Sequence, residues 1–154
     1  MSFSRKIFFN KKILIYGLGK TGISSLNYLK KKNQIKIYDD NKKILKKKYK
    51  HFFINKKKIK KIEFDFIVIS PGIDINKCHL KNYIKKNLKK IVTDLDIFYS
   101  HYPKNKIITI TGTNGKSTTA MLLNLILKKH KKDSRLCGNI GNPILLEKNI
   151  SKKT

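Results

Sequence analysis

Two short glycine-rich stretches hold the residues best suited to chemistry. Residues 16–22 read YGLGKTG, so Gly17, Gly19 and Gly22 spell G-x-G-x-x-G. Residues 109–119 read TITGTNGKSTT, with Gly112, Gly115, Lys116 and Ser117 in close succession. Both patterns suit a chain of phosphates. Glycines let the backbone approach closely and point N–H groups inward, and a helix N-terminus adds positive potential. In the second stretch the Lys116 ammonium could reach outer phosphates, and the Ser117 hydroxyl a magnesium ion. A strict Walker A spelling would place glycine at 110, where Ile110 stands, so this is a variant loop. In a dinucleotide enzyme the first stretch would cradle a pyrophosphate, and Asp39, about twenty residues on, would take a ribose hydroxyl.

Such loops work only if strands and helices hold them. Residues 12–16 (KILIY) form a short apolar run ending at glycine, which predicts a buried strand. Ile23, Leu26 and Leu29 fall on one face of a helix predicted over 21–31. Residues 34–38 alternate as a strand and end in the turn cluster Asp39-Asp40-Asn41. A short helix is expected over 42–49 and a weak strand over 51–54. DFIVIS at 65–70 is a further strand, stopped by Pro71-Gly72. Helices follow at 77–88 and 94–101, with a short strand at 90–92 between them. The pattern restarts after Pro103, with a strand at 107–111, a helix at 116–130 and a possible strand at 135–137. This rhythm predicts an α/β fold with a parallel sheet and helices on its faces. A boundary near residue 104 would separate a Rossmann-like unit, 1–103, from the start of a second unit, 104–154.

The formal net charge is +28, carried almost wholly by lysine, since Arg5 and Arg135 are the only arginines. That much charge can attract nucleic acid or anionic membranes. Here lysines are spread along the chain, alanine occurs once, and arginine, the better base reader, is nearly absent. The excess is read as A- and T-rich codon usage filling solvated positions, so no specific nucleic acid is expected. Cys78 and Cys137 have no metal-ligand spacing, which suggests a reducing compartment. No apolar run reaches the roughly 18 residues of a membrane span. A cytoplasmic location is expected. His51, His79, His101 and His130 have no mutual spacing for metal binding or nucleophilic catalysis.

The variant loop resembles the ATP loop of the Mur ligases and folylpolyglutamate synthases. Several segments together resemble the MurD type, the ligases that add D-glutamate to UDP-N-acetylmuramoyl-L-alanine. They are YGLGKTG at 16–22, SPGI at 70–73, TDLDIF at 93–98, TGTNGKST at 111–118 and GNIGNP at 138–143, in the family's order. The resemblance implies an ATP- and Mg²⁺-dependent ligase of peptidoglycan precursor synthesis that works through an acyl phosphate. The central unit would then be of P-loop type. ATP would be held by Gly112, Thr113, Asn114, Gly115, Lys116, Ser117 and Thr118, with Lys116 acting catalytically and Ser117 on the magnesium ion. The first glycine turn would hold the UDP part of the substrate rather than NAD. Gly19, Lys20 and Thr21 would meet the diphosphate and Asp39 and Asp40 the uridine end. Gly72 would let the backbone close in, and Asn139 would contact the sugar-bearing substrate. Asn41 stands where the family member compared has arginine; Lys42 or Lys43 could substitute electrostatically.

Downstream of residue 106 the only acidic residues are Asp133 and Glu147. The family's later magnesium carboxylate, histidine and modified lysine have no counterpart. The chain is therefore expected to be the front part of such an enzyme, inactive alone. It would come from a truncated gene model, a decayed gene or a split enzyme with a separately encoded downstream half. A cut central sheet should leave the inner face of helix 116–130 exposed. Two other readings stay open: a free-standing Rossmann protein for NAD or a nucleotide, and a nonspecific polyanion binder.

Overall fold

A computed structural model describes residues 7–44 and 46–154. Four parallel strands form one sheet: β1 (Lys12–Tyr16), β2 (Gln34–Tyr38), β3 (Phe66–Ile69) and β4 (Ile91–Val92), in the order β2-β1-β3-β4. β1 is central, and Ile13, Leu14, Ile15 and Tyr16 are fully buried. A strand buried on both faces reads as an unbroken apolar run, which is why KILIY carries no alternation.

Alternate residues of the strands feed two separate cores. Ile13, Ile15, Ile35, Ile37 and Val68 pack with Leu26 and Leu29 of helix α1 (Lys20–Leu29) and with Ile97 and Phe98 of α4 (Asp94–His101). Leu14, Tyr16, Tyr38, Ile67 and Ile69 point the other way. They meet Ile59 of α2 (Lys56–Ile59), Phe64, Leu80 and Ile84 of α3 (Lys81–Lys86). Each fully buried Leu or Ile contributes about 1.5–3 kcal/mol relative to exposure, so the period-2 split pins the register. Helix α4 matches its expected span because a capping box starts it. The Thr93 side chain accepts from Asp96 N–H, and the Asp96 carboxylate accepts from Thr93 N–H at 2.7 Å.

Several expected elements are altered. The helix over 42–49 becomes two 3₁₀ turns, Lys42–Ile44 and Lys47–Phe52, with Leu45 outside the described residues. The strand at 51–54 shrinks to one bridge between Ile37 and Phe53. The helix over 77–88 is trimmed to α3 plus a 3₁₀ turn at Leu88–Lys90. The strand at 135–137 reduces to a Cys137–Asn142 bridge.

The largest departure is at 107–111, where no strand forms and Ile107 and Ile108 are exposed. β-branched residues alone do not make a strand, because its N–H and C=O groups need a neighbouring strand. Helix α5 (Lys116–Lys129) does form, but none of its residues is buried, and Met121, Leu122, Leu125 and Ile126 lie exposed. The chain then returns to the core beside the sheet. Leu145, in a 3₁₀ turn at Ile144–Leu146, is buried in the core that α1 and α4 share. Among the described residues no helix is long and apolar enough to cross a membrane.

Candidate functional site

The first glycine turn is built into the sheet. β1 ends at Tyr16, Gly17 turns with φ +95°, and α1 opens after Gly19. The three glycines have three different reasons. A Cβ at Gly17 would sit 2.7 Å from Ser70 Cβ, and one at Gly22 would collide with the Gly17 carbonyl. At Gly19 an added Cβ would meet nothing within 4 Å. So Gly17 and Gly22 close the turn against the sheet and the helix, while Gly19 leaves the outer side clear for a ligand. The Gly19 cap makes no side-chain hydrogen bond, and the first turn of α1 carries no acidic residue. Its first N–H groups and the positive end of the helix dipole are therefore open to an anion.

Lys20 is exposed and Thr21 half-buried at that helix start. The Thr21 carbonyl accepts from Ser24 Oγ at 2.7 Å and Ser25 Oγ at 3.0 Å, which ties down the first turn. Gly72 lies in the turn after β3, where Ile73 N–H donates to the Ser70 carbonyl at 3.0 Å. A Cβ at Gly72 would also meet nothing within 4 Å.

The acidic pair at the end of β2 divides its work. Asp39 is buried, and Oδ2 accepts from Leu18 N–H at 2.6 Å while Oδ1 accepts from Asn41 N–H at 2.8 Å. Its carboxylate thus joins the end of β2 to the glycine turn. The sequence marks it as a ribose acceptor in a dinucleotide enzyme and, by the resemblance, as a residue at the uridine end; here each of its oxygens takes one backbone N–H. Asp40 accepts from the Tyr16 hydroxyl at 2.8 Å on both oxygens and from His79 N–H at 3.1 Å, with His79 Nδ1 at 3.2 Å. Burial, then Cys78, then Asp40 hold the Tyr16 phenol above its ordinary pKa, so it stays a donor. Asn41 Oδ1 accepts from Lys43 N–H at 3.0 Å, and the Lys43 side chain is solvent-exposed. The Lys42 side chain lies outside the described residues.

The second loop is formed but not framed. Gly112 and Gly115 have φ +145° and +73°, which L side chains rarely adopt. Thr113, Asn114, Ser117 and Thr118 are exposed around them. Lys116 folds back over the loop, its Nζ donating to the Gly112 carbonyl and, at 2.9 Å, to that of Thr113. An ammonium held by carbonyls at the mouth of such a loop sits where phosphate oxygens could replace them. The loop therefore fits a phosphate chain. For magnesium the fit is incomplete, because the described residues hold no group of three or more His, Cys, Asp or Glu able to bind a metal ion. Ser117 alone does not make an octahedral oxygen shell.

Asn139 is exposed in a third glycine loop, where Gly138 N–H donates to the Asn142 carbonyl at 3.2 Å. Gly141 takes φ +81°, and a Cβ there would strike the Leu136 carbonyl. A surface depression of about 380 Å³ lies beside β2 and is lined by Lys36, Phe53 and Lys58 among others, and by no residue of the three loops. The structure thus gathers the first turn, Asp39, Asp40 and Ser70 at one end of the sheet. Reading from spacing gave no role to Ser70, Tyr16 or His79. Their partners are 53, 24 and 39 residues distant. The one available hint was that Ser70 ends a strand next to a Pro-Gly turn.

Residues 11–92 match the family described as Mur ligase MurD-like, N-terminal domain. The curated relatives include UDP-N-acetylmuramoylalanine–D-glutamate ligases. That of Rickettsia prowazekii is 39% identical over 142 residues, covering 90% of this chain and 32% of the relative. That of Buchnera aphidicola from Schizaphis graminum is 41% identical over 144 residues, with 90% and 32% covered. The enzyme of the Wolbachia of Brugia malayi is 40% identical over 149 residues, with 90% and 30% covered. The chain spans about a third of the length of these relatives.

Proposed function

The chain belongs to the MurD-like family of Mur ligase N-terminal domains, and from that premise we propose that its first glycine turn binds the UDP part of UDP-N-acetylmuramoyl-L-alanine. One observation carries the reading. The turn is braced on its inner side by Gly17, Gly22 and Ser70, and left open at Gly19 and at the uncapped start of α1. A diphosphate seated there takes the N–H groups of Lys20 and Thr21. The uridine lies toward Asp40, whose carboxylate is fixed by Tyr16 and His79. Gly72 leaves room for the backbone to close on the ligand, and Asn139 reaches the sugar-bearing end.

The second loop, from residue 104 onward, is proposed to begin the ATP-binding central domain, of P-loop type. Bound ATP would supply the phosphoryl group that activates a substrate carboxylate for attack by the amine of D-glutamate. Lys116 exchanges its loop carbonyls for phosphate oxygens and offsets their charge. Gly112, Thr113, Asn114, Gly115 and Thr118 shape the cradle. Ser117 would contribute one magnesium ligand. Ligation belongs to the whole enzyme, of which this chain spans about a third of the length. Alone it is expected to release no phosphate from ATP with both substrates and Mg²⁺.

The test is a titration of the full chain with UDP-N-acetylmuramoyl-L-alanine and with NAD⁺, at physiological and raised salt. Raised salt removes the weak affinity that a +28 chain has for any polyanion. The UDP ligand should bind more tightly at both; tighter binding of NAD⁺ would sink the proposal.

A further inference from the structure

The Gly17 carbonyl and the Leu18 N–H belong to one peptide group, and each is held by a buried side chain from a different strand. Ser70, after β3, donates its hydroxyl to the Gly17 carbonyl at 2.9 Å. Asp39, after β2, accepts from Leu18 N–H at 2.6 Å. Both side chains are buried, with Ser70 8% and Asp39 7% exposed. The carbonyl also lies against Gly22, where any Cβ would collide with it.

We propose that Ser70 and Asp39 are positioning residues that lock the Gly17–Leu18 peptide against flipping and so preorganise the anion-binding turn. This rests on the reading that the turn takes a diphosphate. A peptide next to glycine is free to flip, because glycine tolerates both signs of φ. A flip here would aim the Gly17 carbonyl oxygen at the Asp39 carboxylate. It would also leave the Ser70 hydroxyl without its acceptor in a buried site. Both consequences are unfavourable, and a buried polar group left unpaired is costly. The unflipped peptide sets the direction of the next N–H groups, which begin α1. Asp39 therefore acts on the ligand through the turn and not by accepting a ribose hydroxyl.

Two measurements on the full chain separate this from its rivals. Amide hydrogen exchange needs no ligand. Leu18 N–H should exchange slowly in the wild type and at least about tenfold faster in Ser70→Ala, while Ile13–Ile15 keep their protection. Unchanged exchange at Leu18 would overturn the lock. The second measurement is the affinity for UDP and for 2′-deoxy-UDP. Ser70→Ala and Asp39→Ala should each weaken both ligands by the same factor, about tenfold, leaving the ratio between them as in the wild type. Asp39→Asn, which keeps one acceptor, should fall between. If Asp39→Ala abolishes the preference between the two ligands and Ser70→Ala does not, Asp39 is a ribose ligand and the proposal fails. If the wild type binds neither ligand, the diphosphate reading fails, and the exchange result still decides the lock.

Discussion

The two glycine-rich loops differ in what stands behind them. The turn at 17–22 emerges from a fully buried strand, and its peptides are gripped by Asp39 and Ser70 from the neighbouring strand ends. The loop at 112–117 follows an exposed, unpaired segment and leads into a helix with no buried residue. The first satisfies its polar groups through distant residues. In the second, the Gly112 and Thr113 carbonyls accept from Lys116 of the same loop. Glycine spacing is enough to specify a loop that can turn. Precision comes from the shell around it, and only the first loop has one.

The strongest way to break this comparison is to cut the core on each side. Ile15→Ala should cost about 4 kcal/mol, as for a fully buried residue that leaves a cavity. Leu125→Ala, at a side chain 61% exposed, should change stability by no more than about 0.5 kcal/mol. Urea denaturation of the two variants checks both values. If Leu125→Ala is as damaging as Ile15→Ala, α5 is packed in solution and the contrast is false.

Glycine replacement probes the loops themselves. Gly22→Ala forces a Cβ into the Gly17 carbonyl and should cost about 3 kcal/mol by overpacking. At Gly115 the added Cβ meets nothing within 4 Å, so Gly115→Ala should cost only the left-handed backbone penalty, about 1 kcal/mol. Thermal melts of the pair give the ordering directly.

For ligand affinity, Lys116→Ala should weaken ATP binding by about tenfold, the scale of one charge-assisted hydrogen bond. Lys57→Ala, in an exposed lysine run, should change it by less than about twofold. Equal effects would mean that the loop is no cradle and that ATP is held by general charge.

The smallest expected effect concerns the Cys137 thiol, beyond the end of α5. Burial, aided by Glu147, pushes Cys137 from its usual 9.0 up to about 11. The folded state thus holds the thiol proton more tightly than the unfolded state does. The matching stability is full below the unfolded value and is lost as pH rises through about 11. Iodoacetamide should label Cys137 more slowly in the native chain than in urea at pH near 9, with the gap closing toward 11. Equal rates at the lower pH would show the site to be open.

Short-range patterns were legible. Residues 12–16 and 34–38 were read as strands, and 94–101 as a helix, with the bounds the structure gives them. Each is settled by apolar runs, alternation or caps that lie within a few residues. The trimmed helix at 77–88 and the missing strand at 107–111 depend on what packs beside them, and periodicity says nothing of that. The burial of Leu145 beside α1 and α4 was likewise invisible, since Ile144–Leu146 carries only a short apolar run.

By itself, then, the sequence determined where the chain can turn tightly and which residues must leave water. Glycine backbone freedom and apolar spacing are local properties of residue type. Only the tertiary structure decided which polar groups those turns would meet. Ser70 and Gly17 are 53 residues apart, and Asp39 and Leu18 are 21. They share a peptide because parallel pairing brings the ends of β1, β2 and β3 side by side. That pairing follows from burying both faces of β1, which is a property of the whole sheet and of no single segment.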